Sequence, residues 1–166
     1  MLFVRQHKKM CAAILALVML LVGWLVFQNV HRRDYIERKL VTAIDQQCKE
    51  EGECDIDLAS VFAELDWDTV SVFVAGDTSQ ILELGVYSEI SDGIVFSKAG
   101  SPVKKHLSCY AFPEDVPPLI SYYLDDSVPN SFHYVTLPRE QAIVRAKKYR
   151  FDDGSYKYSI IAKQLP

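Results

Sequence analysis

His106 and Cys109 stand three residues apart in Val103-Lys104-Lys105-His106-Leu107-Ser108-Cys109. On a helix that spacing would set a base beside a thiol nucleophile. The segment reads instead as a strand, in which an odd separation sends two positions to opposite faces, leaving a surface histidine and a buried cysteine. Asp66 and Asp68 bracket Trp67 as a carboxylate pair of the kind glycosidases use, although alternate positions alone do not make an active site and Trp67 is more simply a core anchor. An envelope hydrolase or thiol enzyme built on Cys109/His106 or on Asp66/Asp68 is the second reading of the chain. Ser108 and the run Ser131-Phe132-His133 lack the context of a nucleophile elbow, and no glycine loop to cradle a phosphate occurs.

A third group is acidic. Glu50, Glu51, Glu53, Asp55 and Asp57 offer hard oxygen ligands, yet their spacing does not follow the D-x-[DN]-x-[DN]-G calcium loop. No metal and no cofactor is expected. These five residues are read as a face for a protein partner. Beside them, Cys48 and Cys54 enclose Lys49-Glu50-Glu51-Gly52-Glu53, a polar loop with a flexible glycine that suits a short local disulfide. The C-x5-C spacing lacks the second cysteine or histidine pair of a zinc site.

The elements that must position these groups begin with Met10 to Val30, 21 residues without a charged side chain, framed by Arg5, Lys8 and Lys9 before and Arg32 and Arg33 after. At about 1.5 Å per residue such a helix crosses a hydrocarbon core of about 30 Å. The run is longer than a cleavable signal and ends in Trp24-Leu25-Val26-Phe27-Gln28-Asn29-Val30 without a small-x-small site, so it reads as an uncleaved signal anchor. Basic residues on both sides nearly balance. The compact basic tail, residues 1–9, tips the orientation toward a cytoplasmic N-terminus.

Residues 31–50 follow as an amphipathic stalk helix, with Tyr35, Ile36, Leu40, Val41, Ile44 and Cys48 at three- and four-residue steps and Gly52 as a stop. Residues 51–166 read as one soluble α+β domain with a mainly antiparallel sheet and short helices. Thr69 to Ala75 is the strongest strand, rich in β-branched and aromatic residues. A brief helix through Ile81 to Leu84 closes at Gly85, and Lys98 to Pro102 connects two further strands. Leu119 to Leu124 is expected to be a short helix, Phe132 to Leu137 a strand, and Ala142 to Lys163 a hairpin turning at Asp152-Asp153-Gly154-Ser155.

Charge is divided along the chain. After Val30 there are 15 basic residues and 22 acids, a balance of −7 that speaks against nucleic acid as a partner. Asp45 to Asp92 holds 13 acids and one base, whereas Arg139 to Lys163 holds seven bases and three acids. The two segments are expected to attract each other within the fold. The competing expectation is an acidic face for a basic partner.

The order Cys54-x-Ile56-x-Leu58, a short gap, Asp66-Trp67-Asp68-x-Val70-x-Val72-Phe73, a short helix and an Ile-Val-Phe strand with a Lys-x-Gly turn resembles a largely uncharacterised family of small membrane-anchored bacterial envelope proteins. The resemblance spans roughly Cys54 to Lys105. It implies a location and a fold more than an activity, and this chain departs from the pattern by its uncleaved helix and longer C-terminal part. The expectation is a single-pass protein of the bacterial inner membrane, held through residues 10–30, with a periplasmic domain that binds another envelope protein, as an immunity or inhibitor protein or a complex accessory would. A structural protein that oligomerises through its stalk is the third reading.

Overall fold

The computed structural model describes residue 19 and residues 35–49, 52–76, 78–86, 91–109, 118–129 and 131–163. The expected basic tail and membrane span lie outside them, apart from Met19. Among the described residues no helix is long and apolar enough to cross a membrane. The chain divides into two compact units, Met1–Tyr35 and Ile36–Pro166, and the strands belong to the second.

Helix α1, Tyr35–Gln47, follows the predicted three- and four-residue steps: Ile36, Leu40 and Ile44 have no exposed surface. Strand β1 (Glu53–Asp57) runs into a single turn of helix, α2 (Leu58–Val61), whose first turn is capped by the Asp57 carboxylate accepting from the Ala59 N–H at 2.9 Å. Then come β2 (Thr69–Phe73), α3 (Thr78–Leu82), β3 (Ser91–Lys98) and β4 (Ser101–Cys109). Strands β5 (Ile120–Leu124), β6 (Tyr134–Pro138), β7 (Ile143–Arg150) and β8 (Tyr156–Ala162) complete the domain, with a 3-10 turn at Arg139–Gln141.

Among the described residues two four-stranded sheets result, in the orders β1-β7-β8-β5 and β4-β3-β2-β6. Every pairing is antiparallel except β5 with β8, which is parallel. This gives the expected small α+β domain, with its strands divided between two sheets. Leu119 to Leu124 is a correction: the segment forms β5 and not a helix. Ile120, Ser121 and Tyr122 are all buried, so the period-2 signal is erased there.

The sheets meet at β5, which lies against β2, β3 and β4. The Ser108 hydroxyl donates to the Ile120 carbonyl, and the His106 and Tyr122 rings sit 6.0 Å apart. Register puts Val70, Val72, Ile94 and Phe96 on one face of the second sheet, while Phe73 and Val95 on the other face join Ile81 and Val86 in a separate apolar cluster. In the first sheet Ile56, Val144, Ala146, Ile160, Ile120 and Tyr122 share the inner face. Helix α1 is tied to that sheet by Asp45, which accepts from the Tyr158 hydroxyl at 3.0 Å and pairs with Lys148 at 2.7 Å.

A disulfide joins Cys48, just past α1, to Cys54 in β1, with Cα atoms 5.2 Å apart. The Cys48 sulfur lies 3.8 Å from the Ala146 carbonyl oxygen on the neighbouring strand. A loop this short constrains the unfolded chain only modestly, so reduction is expected to cost about 2 kcal/mol. Urea unfolding of the full chain in detergent checks it. Reductant should lower the midpoint of the wild-type protein and leave the Cys48→Ser/Cys54→Ser double variant unmoved.

Candidate interaction surface

Strand β1 reads Glu-Cys-Asp-Ile-Asp, and its alternation turns Glu53, Asp55 and Asp57 outward while Ile56 is fully buried. Its neighbour β7 reads Ile-Val-Arg-Ala-Lys-Lys-Tyr-Arg, with Val144 and Ala146 buried and Ile143, Arg145, Lys147 and Tyr149 on the outer side. Register therefore sets Glu53 opposite Lys147, Asp55 opposite Arg145 and Asp57 opposite Ile143. Glu53 lies 3.7 Å from Lys147 and 4.0 Å from Arg145. Exposed pairs of this kind are worth roughly 0.2–1 kcal/mol each, so they fix the charge pattern more than they hold the strands together.

The same face continues across β8 and β5, where Arg145 is opposite Ile161 and Ile161 opposite Tyr123. Tyr123 is 47% exposed, Ile143 56% and Phe151 37%, large apolar groups standing among charges. Tyr149 and Phe151 have ring centroids 5.7 Å apart. Burial, followed by the neighbouring Tyr123, pushes the Tyr149 phenol above its ordinary range, so near neutral pH it keeps its proton and can donate a hydrogen bond. At one end of the face an open groove of about 390 Å³ is lined by Asp55, Glu140, Gln141, Ile143, Arg145 and Lys163.

Of the five acids read as a partner face, Glu53, Asp55 and Asp57 share one side of β1, whereas Glu50 and Glu51 lie outside the described residues. Asp57 also caps α2, and its second oxygen accepts from the Ser60 hydroxyl at 2.5 Å. The acids meet the basic strand from the far end of the chain, so the expected attraction between acidic and basic segments operates inside this sheet. Sequence reasoning did not single out Ile143, Arg145 or Lys163, whereas Tyr123 and Tyr149 were among the tyrosines weighed as a recognition surface against cross-strand packing. The available signal was the alternation Ile143-x-Arg145-x-Lys147-x-Tyr149, which marks one face once β7 is placed in the sheet.

The chemical pairs have other employment. Asp66 and Asp68 precede β2 and do not lie in it: Asp66 pairs with Lys98, and Asp68 accepts from the Ala99 N–H at 2.8 Å. Both hold the β3–β4 turn. Trp67 between them is 2% exposed, donates to the Phe62 carbonyl at 3.2 Å and carries the Arg139 guanidinium 5.1 Å from its ring centroid. Arg139 also donates to the carbonyls of Ala63, Leu65 and Trp67, tying the 3-10 turn to the α2 loop. His106 is buried, not a surface residue: it is 6% exposed beside Tyr122, because its strand face meets β5. His106 and Cys109 stand opposite Ile94 and Ser91 on β4, the odd separation that places two strand positions on different faces. Among the described residues, no group of three or more His, Cys, Asp or Glu is arranged to hold a metal ion.

Compared with known proteins, the chain matches no family model, no curated protein and no solved structure. The resemblance described from Cys54 to Lys105 rests on the order of its residues in the sequence.

Proposed function

We propose that this chain is a single-pass, inner-membrane-anchored module whose periplasmic domain binds another envelope protein by stoichiometric contact. The observation that carries the reading is the outer face of the β1-β7-β8-β5 sheet, where Tyr123, Ile143 and Phe151 stand exposed among interleaved acids and bases. Aromatic anchors ringed by charge suit recognition, the rings supplying contact area and the charges fixing orientation. The apolar run Met10 to Val30 supplies the anchoring part of the reading, and tethering raises local concentration enough for a modest contact to be used.

Photocrosslinking in native membranes tests it. A photoreactive phenylalanine analogue replaces Tyr123, Glu53 or, as a control on the other sheet, Thr136 of the full chain. One discrete protein adduct from the first two positions and none from Thr136 is the expected result. Absence of adducts, or the same adducts from all three positions, rejects the reading.

A further inference from the structure

Strand β1 is the outermost strand of its sheet, in the order β1-β7-β8-β5. Its bonding phase with β7 is fixed at both ends, where the Lys148 N–H donates to the Gly52 carbonyl at 3.3 Å and the Leu58 N–H to the Ala142 carbonyl at 2.9 Å. Cys54 and Ile56 share that phase and so exchange bonds with Ala146 and Val144. The N–H and C=O groups of Glu53 and Asp55 point the other way, out of the sheet. Among the described residues they meet no further backbone partner.

Such an edge is a template for an added strand, whose backbone bonds supply affinity and whose side chains decide which strand is accepted. Glu53, Asp55 and Asp57 take the outer-face positions of β1, with Cys54 and Ile56 between them on the inner face. Residues opposite each other on one face attract when their charges differ and repel when they match. Strand β7 meets the pattern on the bonded side with Lys147, Arg145 and Ile143. Those cations engage Glu53, and Asp57 caps α2, whereas Asp55 enters no ion pair among the described residues.

A second copy offering its own β1 would set acid against acid, and its β7 is already bonded on both edges. We propose that the free edge of β1 receives an extended segment of a partner protein, added antiparallel, with Lys or Arg opposite Asp55 and Glu53 and apolar residues between. The inference rests on the protein-binding reading and specifies what the partner contributes. In an antiparallel pair, residues opposite each other share a face, so the incoming cationic residues are also those whose backbone groups bond Glu53 and Asp55. Few bonds form on so short an edge. A dissociation constant of about 1 mM is the expected scale for an isolated segment.

The test is a titration of the full chain in detergent micelles, followed by NMR at the Glu53 and Asp55 amides. The probe is the acetylated and amidated peptide Thr-Val-Arg-Val-Lys-Val-Thr, compared with a counterpart carrying glutamate at both basic positions. The basic peptide should shift both amides saturably, and the acidic one should bind about 10-fold more weakly or worse. Methylating the backbone nitrogens of its Arg and Lys should remove binding, while methylating those of its Val residues should leave it. Asp55→Lys should abolish the preference between the two peptides. Equal response to both peptides overturns the proposal, as does the same loss from either methylation, or unmoved amides up to about 20 mM, well above the expected constant. Glu53 and Asp55 amides already protected from hydrogen exchange in the protein alone would show the edge held by another segment or a second copy, and would also overturn it. Failure of the peptide with the Tyr123 and Glu53 crosslinks retained rejects the added strand and leaves the protein-binding reading standing.

Discussion

Phe96→Ala is expected to destabilise the domain by about 4 kcal/mol. Phe96 has no exposed surface and lies at the centre of an aromatic group, its ring centroid 4.6 Å from Phe62 and 5.0 Å from Trp67. The end of α2 and the loop before β2, close to each other in sequence, meet the distant strand β3 there. Truncation removes the transfer energy of the ring and opens a cavity between neighbours that are themselves pinned. Trp67 is held by its bond to the Phe62 carbonyl and by Arg139 above it, so it cannot collapse inward. Thermal unfolding of the full chain in detergent should show a midpoint about 12 °C lower, with loss of the tryptophan near-UV signal at the same transition. Phe96→Leu keeps most of the volume and should cost about 1.5 kcal/mol. Similar losses for the two variants would mean that the group is not closely packed.

The residues of that group show what sequence reasoning could reach. Trp67 reads as a core anchor from its place before a strand rich in β-branched residues, and the structure buries it. The final hairpin, the helix stop at Gly85 and the face of α1 were equally accessible, because each depends on local chemistry: positive φ at Gly154 and Gly85, or apolar residues at helical spacing. Strand β5 was not accessible. Ile120 to Leu124 owes its extended form to parallel pairing with β8, and its Ile120 and Tyr122 side is buried where the strand lies against β2, β3 and β4 of the other sheet. The β3–β4 connection was only partly so. Five residues, Lys98 to Pro102, were expected to connect the strands, whereas the turn uses Ala99 and Gly100, both at positive φ. Alanine is a poor advertisement for that conformation, and part of its support comes from Asp68, 31 positions earlier, through the bond to the Ala99 N–H.

The candidate surface was half visible for a related reason. Alternating acids in β1 and the excess of bases near the C-terminus are local facts, but their meeting is topological. Only the pairing of β1 with β7 brings Asp55 to Arg145 and leaves Ile143 beside Asp57 as an exposed apolar contact. Charge composition suggested two segments that attract each other, with an acidic face as the competing expectation. The folded face is a mixed one, and mixed charge discriminates by register where a uniform field would act chiefly by attraction.

Gly93→Ala is expected to be nearly as damaging as loss of the Phe96 ring, at about 3 kcal/mol. Glycine inside a strand is ordinarily a liability that alanine would relieve. Here the sign reverses, because an added methyl group at Gly93 would lie 2.4 Å from the His106 carbonyl oxygen and 2.7 Å from the edge of the Phe73 ring. Gly93 stands directly opposite Phe73 on β2 and opposite Leu107 on β4, so the ring uses the space that a side chain would otherwise fill. The ring can move, whereas the carbonyl belongs to the backbone of the neighbouring strand. Phe73→Leu introduced with Gly93→Ala should therefore recover only part of the lost stability, and the remaining loss should persist while the β3–β4 register is kept. Urea unfolding of the two single variants and the double variant separates these contributions. Full recovery in the double variant would assign the whole penalty to the ring, and a stabilised Gly93→Ala would show that the strands do not approach as closely as their register requires.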